Sequence, residues 1–542
     1  MTVTGFLDVS HAGDLRFEFG DDMRGATAVF VDGEPFRDGT RLEPGAHRIH
    51  VDAMLTGDVW RFVPLWTGAD LWSSGVLATL RRPSRADHLL RPLGGWLVTL
   101  VVLVWLIAWL ASYAARLRSP LVLGWLVAAA ACLSALAATG RVDAGRWCVI
   151  ALAGAALLPV PTRLRNLSGA FALIGIPWLA FIAAAGAGDI GRFWFYGAGH
   201  DFWTYQRYAY RIVMQGYWLE GGSQTFYFQP LYRWIVSALH LIFGDSSVGE
   251  RFWDAAGVLI TALLAWRVTD ACAGFRAGVI AAVLTLSVVA LGTPWPLIGE
   301  GLSEITSAGF IYLAAFIALR GGRGRFAVAL AASVVATLGF YARLNNLPMA
   351  ISVAIFALPA RFRVRDLVGQ WPWRWPAAWR TALTIPAVIA VGLPLFTWRT
   401  WHYTGVFNPL YGTSGARLAI WQPGMPAGTA LVGAISSAMM VLTLNDPAQF
   451  DWRALPLLCG AAAAVLALLG VPRFRDLPAA PVLFFLAGIS SAFIARGWAY
   501  TGRFSVPIIG ITCALTVCAV SNLLKARMAG VSRQSTAHGF GM

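Results

Sequence analysis

The feature that most constrains this chain is a succession of apolar runs, each near the roughly 20 residues that a helix needs to cross a bilayer. They fall at 94–114, 120–138, 145–161, 168–187, 251–269, 277–295, 303–319, 326–341, 345–360, 381–398, 455–471, 479–496 and 503–524. Of 542 residues, 58% are hydrophobic and 13% charged, which predicts a polytopic α-helical membrane protein of about 13 transmembrane helices. Two further apolar stretches read differently. Residues 230–243 are short and carry Arg233 and His240, predicting a helix that lies at the membrane surface. Residues 428–445 are placed in a long outer loop, because counting them as a span reverses every later orientation; the competing reading is a transmembrane helix.

Charge then orients the spans. The formal charge is +15, which on a soluble protein would suggest nucleic acid. Here the basic residues cluster in short loops. Arg116 and Arg118, Arg163 and Arg165, Arg267 and Arg276, Arg320 to Arg325, Arg361 to Arg380, Arg473 and Arg475, and Lys525 and Arg527 all fall on one side. By the positive-inside rule that side is cytoplasmic, and no nucleic-acid partner is expected. The loops holding Asp201, Glu300, Arg343 and His402 fall on the other side. Arg81, Arg82, Arg85 and Arg91 disagree, since they precede the first span on the outer side.

Residues 1–85 have another character. LRFEF (15–19), ATAVFVDGEPF (26–36) and HRIHVDA (47–53) alternate or are rich in β-formers, and Asp-Gly and Pro-Gly turns separate them. This predicts a small antiparallel β-sandwich on the outer side. The start does not read as a signal peptide. Cys132, Cys148, Cys459, Cys513 and Cys518 fall inside apolar runs and Cys272 in a predicted cytoplasmic loop, so packing as small hydrophobes is expected rather than a disulfide framework.

The stretch from Asp189 to Gly244 interrupts the apolar pattern with polar and aromatic residues. Irregular backbone of this kind must lie in water, at the interface or in a protein-lined cavity. It offers Asp201 beside His200, among aromatic side chains suited to stacking on sugars. Asp201 also suits an N-cap for a helix starting near Trp203. Glu300 and Glu304 enter from the next outer loop, where an acid at a helix start is costly near a membrane yet favoured by the dipole. Arg343, Arg399 and Arg503 stand where outer loops meet spans. Such arginines bind phosphate oxygens with a planar fork, or snorkel to headgroups.

The order HDFWTYQRYAYRIVMQGYWL, then FQPLYRWIVSALHLIFG, then Arg251 and an Ala- and Leu-rich span, resembles the membrane glycosyltransferases of the C-type fold (GT-C). The nearest flavour is the protein mannosyltransferase and lipid A aminoarabinose transferase group. The resemblance covers about residues 168–524 and departs in His-Asp-Phe where relatives often have paired acids. The run GFLDVSHAGDLRFEF, AVFVDGEPF, LEPGAHRIHVDA resembles the later two-thirds of PA14-like sandwich domains. The implied domains are a sandwich over 1–85, three additional helices over 93–161, a GT-C-like core over 168–524 and a cytoplasmic tail over 525–542.

That resemblance implies an inverting transfer of sugar from a polyprenyl-phosphate donor to an acceptor hydroxyl, at the outer face of the cytoplasmic membrane. The acceptor is a glycan, a lipid or a protein. Asp201 would be the general base and Glu304 its assistant. Arg343, Arg503 and Arg399 would hold the donor phosphate, and His200, Tyr205, Glu300, Asn345 and His402 would contact substrate. A divalent cation, Mg or Mn, becomes plausible if Glu304 or Glu300 joins Asp201. The alternatives are a transporter or flippase for lipid-linked sugars, and an inactive glycan-binding membrane protein. The absence of a convincing internal repeat weighs against transport.

Overall fold

The computed structural model describes residues 2–19, 27–53, 62–71, 74, 76–79, 82–86, 118–128, 152–186, 200–215, 230–243, 247–320, 326–357, 362–369, 376–407, 425–444, 451–494 and 502–538. It divides into two compact units, one of Met1–Arg118 with Gly191–Trp203, the other of Ser119–Ile190 with Thr204–Met542.

In the first unit, the described residues form nine strands in two antiparallel sheets. They are β1 (Thr2–Val9), β2 (Gly13–Phe19), β3 (Thr27–Val31), β4 (Glu34–Pro35), β5 (Thr40–Leu42), β6 (Gly45–Ala53), β7 (Phe62–Trp66), β8 (Ala69–Asp70) and β9 (Leu77–Thr79). One sheet has the order β4-β3-β6-β1-β9 and the other β5-β2-β7-β8. The alternation seen in the sequence places Leu15, Ile49 and Val51 inward, with Arg16, Arg48 and Asp52 outward. Both sheets feed one core, in which Leu7, Leu15, Val31, Leu42, Val51 and Trp66 are buried together. Asp32 and Gly33 both take positive φ, 54° and 88°, in the two-residue turn that joins β3 to β4. That is the backbone a primed hairpin turn demands, and it explains the Asp-Gly pair.

The second unit is helical. Its principal elements are α1 (Ile176–Gly186), α2 (His200–Gln215, whose first residues belong to the other unit), α3 (Pro230–Phe243), α4 (Val248–Ala273), α5 (Phe275–Leu291), α6 (Ser303–Arg320) and α7 (Phe326–Ala342). There follow α8 (Leu347–Ser352), α9 (Pro376–Thr404), α10 (Ala427–Thr443), α11 (Leu455–Leu468), α12 (Ala479–Ile494) and α13 (Val506–His538). Among the described residues, three helices are long and apolar enough to cross a membrane: Val248–Ala273, Ala382–His402 and Arg503–Met528. The expectation of about 13 spans is therefore met only in part. The other expected runs within the described residues form shorter apolar helices. Run 94–114, residues 129–138 of run 120–138 and residues 145–151 of run 145–161 lie outside the described residues.

Local chemistry explains one of the shortened runs. In 168–187, Pro177 lacks the N–H an α-helix needs, and a π-helical turn, Phe171–Gly175, precedes it and leads into α1. In 345–360, α8 yields to a 3₁₀ turn over Val353–Ala357. The two stretches read as lying outside the spans are both helical. Residues 230–243 form α3, within which Arg233 is fully buried, and 428–445 correspond to α10, an apolar helix.

α4 packs against α5, α6 and α13, and α6 against α7. The α4–α6 approach relies on glycine, since a Cβ on Gly309 would lie 2.9 Å from the Cα of Gly257. Small residues at such crossings let helix backbones come close. The candidate site is built at the start of α6, which packs on α4 and α7.

Candidate anion-binding site

The loop before α6 is shaped by two glycines with positive φ, Gly299 (87°) and Gly301 (74°). A Cβ on Gly299 would also crowd Arg251 at 3.0 Å, so both backbone and space call for glycine. The Gly299 N–H donates to Asp254 Oδ2 of α4 at 3.0 Å, tying the loop to that helix. The chain then enters α6 at Ser303, with Glu304 in its first turn, where an acid suits the helix dipole.

Glu304 is only 2% exposed, and its Oε1 accepts from two guanidiniums. Arg343 reaches it with NH1 at 2.9 Å, and Arg503 with Nε. Arg343 follows the last residue of α7 in extended backbone. Arg503 opens the 3₁₀ turn that leads into α13, just after Gly502 at φ 71°. Both arginines are buried, 7% and 5% exposed. Arg343 NH1 also donates to Ser303 Oγ at 3.1 Å, and the Tyr205 hydroxyl of α2 donates to the same oxygen at 3.2 Å. The Phe504 ring lies under the Arg343 guanidinium at 5.1 Å, a cation–π distance.

Two guanidiniums face the Glu304 carboxylate in a buried position. Glu300 lies close by. Burial raises its carboxyl above the ordinary value, with Arg503 opposing that rise. What the arrangement can do chemically is hold an oxyanion with charge-assisted hydrogen bonds in a low-dielectric setting.

A second buried polar group lies on α2, α3 and α4. Gln206 Nε2 donates to Glu250 Oε1 at 3.1 Å, and its Oε1 stands 2.7 Å from His240 Nε2. Asp254, one turn after Glu250, is fully buried. Tyr205 and Tyr232 meet edge to face at 4.7 Å beside them. Sequence reasoning passed over Glu250, Asp254, Gln206, His240 and Ser303 as site residues. A legible signal was present, because two acids four residues apart inside a mostly apolar helix share one face.

The expected site residues thus separate. Glu304, Arg343 and Arg503 come together, with Tyr205 linked through Ser303 and Glu300 in the adjoining loop. Asn345 instead donates to the Ser491 carbonyl of α12 at 3.3 Å. Its neighbour Asn346 donates to Ser307 Oγ at 2.8 Å. Arg399 and His402 lie near the end of α9, half-buried and exposed respectively, and the described contacts of Glu304 do not include them. His200 and Asp201 are the first residues of α2, and their side chains lie outside the described residues. Among the described residues, no group of three or more His, Cys, Asp or Glu side chains is disposed to hold a metal ion. Glu304 Oε1 is shared by two guanidiniums, while its Oε2 is buried with no hydrogen-bond partner among the described residues.

No family model matches this chain, and no curated protein matches it. Among solved structures, the archaeal oligosaccharyltransferase AglB from Archaeoglobus fulgidus, in complex with an inhibitory peptide and a dolichol-phosphate, aligns with 64% of this chain at 13% identity and a TM-score of 0.33. The chain spans about half of that protein, 48% of its length, and a likeness of this degree assigns neither family nor activity.

Proposed function

We propose that this protein is an inverting, polyprenyl-phosphate-sugar-dependent glycosyltransferase of the cytoplasmic membrane, acting on its outer face. The observation that supports this reading is the buried group in which Arg343 and Arg503 converge on Glu304 at the start of α6. A lipid-phosphate leaving group departs as an anion and needs electrostatic stabilisation more than protonation. Arg343 and Arg503 would supply it, each able to donate to phosphate oxygens from a planar fork.

Asp201 would remove the proton from the acceptor hydroxyl as the sugar carbon is attacked. Tyr205 and Ser303 would keep Arg343 in place, and an Mg or Mn ion, where required, would depend on Asp201. The acceptor class stays open among glycan, lipid and protein, and Arg399 and His402 are candidates for contacting it.

The test is sugar transfer from a panel of polyprenyl-phosphate sugars by purified wild-type and Asp201→Asn protein, with and without chelator. General-base catalysis contributes about 10²–10⁴-fold, so Asp201→Asn should lose that much activity while still binding donor. Chelator sensitivity would add the cation. A wild-type protein that binds donor and transfers nothing to any of a glycan, a lipid and a peptide acceptor would overturn the enzyme reading in favour of transport. An Asp201→Asn protein as active as wild-type would move the base elsewhere.

A further inference from the structure

Two thiols meet where α4 packs on α13, at the opposite end of α4 from Glu250 and Asp254. Cys272 lies in the last turn of α4 and Cys518 within α13, and their side chains are in hydrogen-bond contact with each other. Both are free thiols. Their exposure differs, since Cys518 is 2% exposed while Cys272 is only partly buried. Thr269, three residues before Cys272 on α4, hydrogen-bonds Cys518. Arg363 reaches in from the segment 362–369, its NH1 donating to Cys272 Sγ at 3.8 Å. That segment is held through its backbone. The Val364 N–H donates to the Leu477 carbonyl at 3.0 Å, and the Arg363 N–H to Asp366 Oδ2 at 2.8 Å. Packing as small hydrophobes, the expectation for these cysteines, does not call for a guanidinium beside a sulfur.

We propose that Cys272 and Cys518 form a peroxide-sensitive dithiol: hydrogen peroxide oxidises Cys272, and Cys518 closes on it to a disulfide that staples α4 to α13. The order of events follows from exposure and charge. Cys272 is the sulfur that an oxidant reaches, and a cation beside a sulfur stabilises the thiolate that attacks oxidants. That sulfur attacks one peroxide oxygen and the O–O bond breaks. The departing hydroxide takes up a proton and leaves as water, and Cys272 becomes a sulfenic acid. The Cys518 sulfur then displaces the sulfenic hydroxyl. The S–S bond forms, the S–O bond breaks, and the Cys518 proton leaves with the second water. Two thiols thus lose two electrons, and one peroxide is reduced to two waters. Cys518 is the resolving thiol because burial hides it from the oxidant but not from Cys272. Arg267 and Arg276 flank this end of α4, the side read as cytoplasmic, where thiols rest reduced. The dithiol is therefore the resting form, and a dithiol reductant reverses the bond. None of the residues at the start of α6 takes part, so the inference stands apart from the glycosyltransferase reading.

The experiment treats purified full-length protein in detergent with hydrogen peroxide, alkylates the remaining thiols under denaturing conditions and maps the peptides by mass spectrometry. In wild-type protein, Cys272 and Cys518 should leave the alkylated pool together and appear as one disulfide-linked peptide pair, which dithiothreitol separates. Cys459 should stay out of that bond. Cys518→Ser should stop at a sulfenic acid on Cys272, trapped by dimedone, and Cys272→Ser should leave Cys518 alkylated. Arg363→Met should slow the oxidation about fivefold, the factor that one charge at about 4 Å contributes in a water-like medium. Arg363→Lys, which keeps the charge, should restore most of the rate. The mapping of wild-type protein needs no substitution, so a variant that fails to fold leaves the test intact. Over-oxidation of Cys272 with Cys518 still a thiol would overturn the proposal, as would a disulfide from Cys272 to a second copy of the chain. Oxidation of Cys272 no faster than that of glutathione in the same tube would overturn it too. An unchanged rate in Arg363→Met would overturn the part assigned to the guanidinium.

Discussion

Glu304 and Glu250 make an instructive pair. Each lies in the first turn of a long helix, each is 2% exposed, and each has one carboxylate oxygen without a hydrogen-bond partner among the described residues. Their partners differ. Glu304 is held by two guanidiniums. The described partners of Glu250 are the Gln206 amide and, at 3.7 Å, His240. Burial at a helix start is thus no guide to role, because the groups contributed by neighbouring helices decide it. Guanidiniums from two other elements converge on Glu304, whereas the relay through Gln206 ties Glu250 to α2 and α3.

The comparison can be broken most forcefully at Arg503. Replacing it with Met leaves the buried Glu304 carboxylate with Arg343 and removes one charge-assisted hydrogen bond, which contributes about 1.5–3 kcal/mol. Thermal unfolding of Arg503→Met in detergent should show a large loss, and a change within error would mean that the pair is not held as the structure describes. Glu250→Gln should do far less, within about 1 kcal/mol, because a Gln carbonyl still accepts from Gln206. If Glu250→Gln costs as much as Arg503→Met, Glu250 is held as a charge and the contrast collapses.

The smallest effect is expected at Glu300, which stands electrostatically near both groups. Burial raises its carboxyl, with Arg503 opposing, so the folded protein binds this proton more tightly than the unfolded chain. Stability from this group is therefore full below the ordinary value of 4.5 and declines as pH rises above it. Glu300→Gln removes that decline. Unfolding measured at pH 4 and pH 7 should show the variant gaining on wild-type only at the higher pH. A variant that loses stability at pH 7 would place Glu300 with Arg503 as a working ion pair.

Several elements are legible in the amino-acid pattern alone. The 14 residues of α3 coincide with the short apolar stretch singled out for its Arg and His. The strands β2, β3, β4 and β6 match the alternating segments, and their turns match the Asp-Gly signals. Arg343, Arg503 and Glu304 stand out singly, as charges where loops meet spans. Their meeting is not legible there, nor is the burial of Glu250 and Asp254.

The amino-acid sequence by itself determined what depends on near neighbours. Apolar runs select helices, two-residue alternation selects strands, and glycines mark the turns, because backbone conformation and side-chain periodicity are local properties. Only the tertiary structure decided that Glu304 meets an arginine 39 positions away and another 199 away. That outcome depends on how closely α4, α6, α7 and α13 pack, at crossings such as Gly257 against Gly309, and a local pattern carries no record of distance between helices.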